Sequence, residues 1–304
     1  RVAKFWPLPP LSGQNFAVGV QESSNKLRSL TDMTAAADLQ YFTAVNGEDA
    51  DDYSLNANID MGLDADAPEM RHKLSLPSSR TFCLAVAVLK ASGLRVKIGK
   101  MDWSGFYRQI VHSKRCLWFA VKLMSCRGFS IDKALPFGNR KGPEMGNELN
   151  DVVICFIKWQ FRENVRSMDA EVHLRRLSGL ATESDNDWHG QRIVMSAYFV
   201  ERRAELLSSY PSMTDVEVDE QCDYDTWQGF YDDGSFATFE IMFDLLVRTA
   251  LELADDIQLK VSLKKTECGT TDGQCGTLDL GAWAKGDIAW LMSSGPDFHF
   301  MTVL

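Results

Sequence analysis

Long apolar runs and ordered cysteine motifs are both missing from this 304-residue sequence. No stretch of about 18 consecutive apolar residues exists, which excludes an ordinary membrane-spanning helix, and no secretory signal pattern opens the chain. The seven cysteines are scattered, without a C-x-x-C pair or a histidine at metal-finger spacing. This excludes a zinc finger and a disulfide framework, and predicts an intracellular protein, in cytoplasm or nucleus and not secreted.

Basic residues are absent from the range Ser29–Met70, which carries ten acidic residues. That stretch accounts for the net charge of −10, and it is predicted to be a surface loop or an insertion. The range Lys90–Lys141 is the opposite: it holds twelve Lys and Arg residues and only two acids, Asp102 and Asp132. Such a basic block suits contact with phosphate groups, although an ordinary solvated surface has the same composition.

Acidic residues recur at two places where a sheet could bring them together. The stretch Lys97–Met101 alternates polar and apolar residues, as a half-buried strand does, and leads directly into Asp102. Far downstream comes the triplet of Tyr231, Asp232 and Asp233, which is predicted to form the tip of a hairpin. A site for two divalent metals in phosphoryl transfer needs several carboxylates in one place, and this layout supplies three.

The other predicted elements follow from apolar spacing and from turn residues. Helices are predicted over Ser79–Leu89, Glu144 to about Phe161, Gln191–Tyr210 and Phe239–Ile257. A strand is predicted over Cys116–Leu123. The turn-rich stretch Leu135–Pro143 leads into the second helix, and Leu259–Thr266 is followed by Thr277–Gly281.

The order of these segments resembles the polymerase motifs of reverse transcriptases, in particular those of LTR and DIRS-type retrotransposons. The matching features are the "D…YRQI" strand at Asp102, the "LPFG…P" loop at Leu135–Pro143, the "YDD" hairpin, the "KT" turn and the "LG" strand. The resemblance covers roughly 25–283. It implies an α+β fold, a right-hand polymerase palm and fingers with an antiparallel palm sheet. The thumb is expected to be absent or truncated.

The resemblance also implies a domain organisation with one departure from the family. Relatives need only a few tens of residues between the loop motif and the hairpin, so residues 158–224 are predicted to be an insertion. The expected segments are an extended N-terminal segment (1–24), fingers with the acidic stretch 29–70 (25–97), palm and fingers with the first Asp motif (98–157), the insertion, palm with the hairpin (225–283) and a C-terminal tail (284–304).

The implied activity is template-directed synthesis of DNA from dNTPs on an RNA or DNA template. Two Mg²⁺ or Mn²⁺ ions are expected at Asp102, Asp232 and Asp233, because oxygen-only ligands favour these metals. In this family the second Asp of the hairpin, here Asp233, is often the less direct ligand. Lys265 is the expected acid beside the leaving pyrophosphate, and its neighbour Lys264 is the alternative.

The resemblance further implies two sets of binding residues. The nucleotide-binding residues are expected to be Arg28, Trp103, Tyr107, Phe137 and Gly138. Arg28 would meet the triphosphate, since the planar guanidinium suits phosphate oxygens. An aromatic residue at the place of Tyr107 excludes a 2′-hydroxyl and so favours deoxynucleotides; a buried core tyrosine is the structural alternative. Nucleic-acid contacts are expected at Lys97, Arg140 and Lys141.

Three interpretations of the activity stay open at this point. An active polymerase core is favoured by the three carboxylates and Tyr107. A catalytically silent scaffold or binding subunit, derived from a reverse transcriptase, is favoured by the insertion and the missing thumb. An RNA-dependent RNA polymerase is disfavoured by Tyr107. The expected partners are an RNA template, a DNA primer and dNTPs, without a membrane. Because the chain starts at Arg1, further domains of a longer polyprotein or a larger assembly are also expected.

Overall fold

The structure is a computed structural model of a mixed α and β protein. It describes residues 14–21, 26–36, 79–112, 114, 117, 121–124, 128–135, 142–262, 266–270, 274–275 and 278–279. The chain divides into two compact units, which are Arg1–Ser75 with Gly105–Glu148, and Leu76–Ser104 with Leu149–Leu304.

The first unit contains a four-stranded sheet in the order β2-β1-β4-β5. Its strands are β1 (Gln14–Gln21), β2 (Lys26–Ala36), β4 (Val121–Met124) and β5 (Gly128–Ile131). Two antiparallel hairpins, β1–β2 and β4–β5, meet through a single parallel pair of residues, Gln14 and Lys122. A short 3-10 helix, Phe106–Gln109, also belongs to this unit and buries Phe106.

The second unit is built on a four-stranded antiparallel sheet in the order β6-β7-β3-β8. Its strands are β3 (Val96–Asp102), β6 (Asp225–Phe230), β7 (Asp233–Phe239) and β8 (Glu267–Thr270). The short strands β9 (Gln274–Cys275) and β10 (Leu278–Asp279) form a separate pair. The predicted mixed α and β architecture with an antiparallel sheet is confirmed, and the right-hand arrangement of palm and fingers stays a prediction.

The two central strands of this sheet, β3 and β7, are tightly packed. Six of the seven residues of β7 are buried, as expected for a strand covered on both faces. The Phe236 ring stacks on Trp227 at a centroid distance of 4.4 Å and on Phe243 at 5.6 Å. Gly99, opposite Phe236, leaves room for this ring, because a Cβ there would lie 2.3 Å from the ring. The glycine is therefore a packing requirement of β3.

Five helices are described in the two units. They are α1 (Ser79–Ala91), α2 (Gly142–Leu177), α3 (Glu183–Ser209), α4 (Asp215–Gln221) and α5 (Glu240–Asp256). The predicted helices at Ser79–Leu89 and Phe239–Ile257 are confirmed by α1 and α5. The helix predicted to end near Phe161 runs on to Leu177 instead, because polar residues with good helix propensity continue it after the apolar pattern fades.

The predicted insertion 158–224 is mostly helical in the structure. Helix α2 passes through residue 158 without a break, and α3 starts earlier than its apolar pattern indicated. Its start is set by Thr182, which forms a reciprocal capping box with Asp185. An ion pair between Arg192 and Asp169 at 2.8 Å and one between Arg175 and Asp185 tie α3 to α2. Among the helices the structure describes, none is long and apolar enough to cross a membrane.

Candidate functional site

The carboxylates predicted to act together meet at one end of the second unit's sheet. Asp102 is the last residue of β3 and Asp233 is the first residue of β7. The register of the antiparallel pair places these two residues directly opposite each other. Asp232 stands beside them in the two-residue loop that joins β6 to β7. The predicted placement of both acidic motifs on adjacent strands is thus what the described residues have.

The hairpin loop holds an unusual backbone conformation. Tyr231, its first residue, has φ 55°, in the left-handed region that non-glycine residues rarely adopt. Such a conformation costs on the order of 1–3 kcal/mol and persists only where neighbouring contacts hold it. One such contact is the backbone N–H of Trp103, which donates to the Asp232 carbonyl at 2.9 Å. The loop is therefore fixed to the residue that follows Asp102.

A second segment fixes the other side of Asp102. The N–H of Ser262 donates to the Asp102 carbonyl at 2.8 Å, and the N–H of Ser104 donates to the Lys260 carbonyl at 2.7 Å. A bridge between Trp103 and Val261 lies between these bonds. The main chain around Asp102 is thus hydrogen-bonded on both sides, which restricts where its carboxylate can point.

Asn150 on α2 is a functional candidate that the sequence analysis missed. Its side chain is fully buried; it accepts a hydrogen bond from the Trp103 indole N–H at 2.7 Å and donates to the Asp233 carbonyl at 3.0 Å. One amide therefore ties the ends of both acid-bearing strands to a helix. The sequence does carry a signal for this role, because Asn150 is a polar residue within a segment of apolar periodicity. A buried amide in such a place needs hydrogen-bond partners.

The electrostatics of the site are dominated by burial and by like charge. Burial is the main cause that raises the pKa of Asp233, to about 6. The negative charge of Asp232 and a hydrogen bond with the Asp102 side chain raise it further. Lys100 acts in the opposite direction, because its Nζ lies 3.0 Å from Oδ2 of Asp233. Asp102 itself is only 4% exposed.

The carboxylates of this site supply part of the ligand set that a divalent ion needs. Asp102 and Asp233 stand opposite each other on paired strands, and two carboxylates plus substrate phosphates are a common ligand set for Mg²⁺. Within the described ranges, however, no group of three or more His, Cys, Asp or Glu side chains is arranged to hold a metal. Asp233, expected to be the less direct ligand, is the one that contacts Asp102, and Asp232 lies beside the pair.

The Trp103 side chain lies in the core of the second unit. It is completely buried, and its only side-chain donor is the indole N–H bonded to Asn150. A nucleotide contact through this residue stays a prediction. Its main chain, by contrast, is part of the site through the bond to Asp232.

Tyr107 lies in the first unit, in the 3-10 helix. Its ring is half-buried and stands against the first turns of α2, where a Cβ added at Gly146 would lie 2.9 Å from Tyr107 Cε1. Its neighbour Phe106 packs edge-on against it at 5.9 Å. The ring is thus held in place by its own unit, and the absence of a side chain at Gly146 is what lets it lie there.

Two cations of the basic block, Lys97 and Arg108, pair with acidic residues. Lys97 pairs with Glu240 at 3.4 Å and lies on the face of β3 opposite Asp102, because the two positions are an odd number of residues apart. Arg108 pairs with Asp132 at 2.7 Å within the first unit. These cations of the basic block neutralise local acids, which a count of charges along the sequence does not reveal.

The remaining predicted site residues are described in part or not at all. Arg28 lies on β2, where its backbone is paired with Gly19. Five others lie outside the described residues, namely Phe137, Gly138, Arg140, Lys141 and Lys265. Comparison of the chain with protein-family models and with curated proteins finds no match.

Proposed function

We propose that this protein is the core of an RNA-directed DNA polymerase, with a palm-and-fingers fold, that extends a DNA primer on an RNA or DNA template. The observation that carries the proposal is the register that places Asp102 and Asp233 directly opposite each other on adjacent antiparallel strands, with Asp232 in the connecting loop. The order of motifs along the chain, which resembles that of reverse transcriptases, supports the same proposal.

The chemistry assigned to the chain is alignment and charge neutralisation. Asp102 and Asp233 would hold Mg²⁺ or Mn²⁺ with Asp232 beside them, and substrate phosphates would complete the ligand set. Such ions, when bound, activate the attacking 3′-hydroxyl and steady the leaving pyrophosphate. The reaction needs no protein nucleophile. Asn150 and the main-chain bonds of Trp103 keep the carboxylates in position.

Primer extension on an RNA template with dNTPs and Mg²⁺ or Mn²⁺ tests this function. We expect Asp102→Asn to lower incorporation by about 100-fold or more, the scale on which electrostatic groups act in such reactions. Its folding should be unimpaired, because removing one of several repelling carboxylates relieves the free protein. The matched control is Asp244→Asn, an exposed Asp on α5. Equal activity of Asp102→Asn and the control would refute the proposal.

The sugar preference follows from the ring of Tyr107 under the same proposal. A rigid ring against the sugar rejects a 2′-hydroxyl by overlap, so Tyr107→Val should narrow the preference for dNTPs over NTPs. Gly146→Ala should also change this preference, because the new methyl group would displace the ring from its place. Single-nucleotide incorporation measures both effects. An unchanged sugar preference in an active Tyr107→Val variant would remove the argument for deoxynucleotides.

A catalytically silent subunit, derived from a reverse transcriptase, is the second candidate. Two observations favour it: Lys100 already pairs with Asp233, and the described part of the chain holds no three-residue metal group. Such a subunit would bind nucleic acid or a larger assembly without incorporating nucleotides. Wild-type protein that binds an RNA–DNA primer-template but neither binds Mn²⁺ nor extends the primer would favour this candidate over the polymerase.

A further inference from the structure

Lys100 brings a positive charge into the carboxylate site. Its Nζ lies 3.0 Å from Oδ2 of Asp233. It stands two residues before Asp102 on β3, so the two side chains leave the same face of the sheet. One ammonium group thus stands beside Asp233, in a site that also holds the carboxylates of Asp102 and Asp232.

An ammonium group and a divalent ion compete for the same carboxylate. Oxygen ligands of Mg²⁺ lie at about 2.0–2.1 Å, so an ion on Asp233 would stand close to the present position of Lys100 Nζ. Like charges at about 4 Å repel strongly in a partly buried site. The side chain of Lys100 is 28% exposed and flexible, so it has a route to solvent when it leaves.

We infer that Lys100 is the resident counter-ion of the metal-free site and that it is displaced when a divalent ion binds. The inference rests on the proposed function, because it concerns the same carboxylates. Lys100 steadies Asp233 beside Asp102 while no metal is present, and it weakens the metal affinity of the site by competing for Asp233. It is a positioning residue: its effect on the reaction passes through the carboxylates.

Titration with Mn²⁺, with the heat of binding measured by calorimetry, tests the inference without any turnover. Removing the competitor in Lys100→Met should tighten Mn²⁺ binding by about fivefold or more, which corresponds to the loss of an ion pair of ordinary strength. In the presence of a chelator, the melting temperature of the same variant should lie at most about 4 °C below that of wild type, and saturating Mn²⁺ should remove this difference. Lys100→Arg, which keeps the charge, should bind Mn²⁺ much as wild type does.

Lys97→Met is the matched control for charge. Lys97 lies on the same strand with nearly the same exposure, 29%, but on the other face, where it pairs with Glu240. Its removal changes the net charge equally and should leave Mn²⁺ affinity unchanged. If Lys100→Met does not fold, Lys100→Gln, which is also neutral and keeps a polar tip, takes its place.

Two outcomes overturn the inference, and they differ in whether the proposed metal site also fails. In the first outcome, wild type binds Mn²⁺, Asp102→Asn abolishes the binding, and Lys100→Met leaves the affinity unchanged or weaker. Lys100 is then not a competitor, although the proposed metal site stands. If wild type does not bind Mn²⁺ at millimolar concentration, the metal site fails and Lys100 has nothing to be displaced by. A fivefold tightening shared by Lys97→Met would also count against a local role.

Discussion

Two pairs of carboxylates lie at opposite ends of strand β6, and their surroundings differ. At the hairpin end, Asp102 and Asp233 lie opposite each other, and Asp233 pairs with Lys100. At the other end, Asp223 and Asp225 meet two cations from α2. Lys158 lies 3.2 Å from Asp223 Oδ2, and the Nε of Arg162 donates to Asp223 Oδ1 at 3.3 Å.

The comparison indicates what makes a carboxylate pair available to a ligand. Two acids and two bases balance each other at the end with Asp223, and the surrounding protein closes over Asp225, which is 3% exposed. At the hairpin end Lys100 pairs with Asp233, whose side chain is 20% exposed. Access, rather than acidity alone, therefore distinguishes the candidate metal site from a structural ion-pair cluster.

The largest expected effect is a loss of stability at the end of β6 that carries Asp223 and Asp225. Lys158→Met removes one of two cations beside a nearly buried carboxylate and should cost about 3 kcal/mol, at the low end of the range for breaking a buried pair, because Arg162 still pairs with Asp223. Lys100→Met removes a cation from the partly exposed pair, which should cost less than about 1 kcal/mol. Urea unfolding of both variants measures the difference. Similar losses of stability in the two variants would mean that the two ends do not differ as described.

The next effect is a dependence of stability on pH that originates at Asp225. Burial is the main cause that raises the pKa of Asp225 to about 7, and Asp223 adds to it, whereas Lys158 and Arg162 oppose it. Both carboxylate oxygens of Asp225 lack a hydrogen-bond partner within the described residues. The ionised form is thus disfavoured in the folded protein.

The folded protein binds this proton more tightly than the unfolded chain does, so stability is lost as pH rises from about 4 to about 7. The loss should be on the order of 2–4 kcal/mol, since each pKa unit corresponds to about 1.4 kcal/mol. Asp225→Asn should flatten the decline in urea unfolding measured between pH 5 and pH 8. The raised pKa of Asp233 contributes a slope of the same sign, so the difference between variant and wild type is the quantity to compare. An identical slope in both proteins would exclude Asp225 as the source.

The smallest effect sharpens the comparison at the hairpin end. Asn150→Ala leaves the Trp103 indole N–H and the Asp233 carbonyl without their partner, which should cost about 1–3 kcal/mol. Mn²⁺ affinity should fall with it, because Asp233 loses its tether. Asn164→Ala on the same helix is the control: it breaks a bond to Thr249 at 2.8 Å, away from the carboxylates. Equal Mn²⁺ affinities in the two variants, measured on folded protein, would argue against a role in positioning.

Local patterns in the sequence were sufficient for β3, for the hairpin at Tyr231 and for some of the helices, but not for β1 or for β2, which extends into the acidic stretch that was predicted to be a loop. The alternation before Asp102 predicted β3, and the hairpin residues predicted the β6–β7 turn, but the pairing of β3 with β7 was expected only from the resemblance, because the two strands are far apart in the sequence. Helix α5 was predictable from apolar spacing. The same period-two logic shows that Lys97 and Asp102 leave opposite faces of β3 and that Lys100 shares the face of Asp102, so both placements were accessible from the sequence.

Other features depend on contacts between distant residues. Nothing near Asn150 in the sequence identifies Trp103 and Asp233 as its partners, since the pairs are separated by 47 and 83 residues. The pairing of Lys97 with Glu240 likewise needed the fold. The continuation of α2 to Leu177 was missed because the apolar pattern weakens where the helix is stabilised by ion pairs, such as that of Arg175 with Asp185.

The unbroken helix α2 imposes a length constraint on this part of the chain. Asn150 contacts β6 at Gly229, and Lys158 and Arg162 reach Asp223, so one helix touches both ends of the same strand. The twelve residues of helix from Asn150 to Arg162 rise about 18 Å, and the six residues from Gly229 to Asp223 span up to about 20 Å, so the two segments have similar lengths. Inserting a single residue between Asn150 and Lys158 would turn everything beyond it by about 100°. Any insertion or deletion in this interval would therefore disconnect one end of β6 from the other.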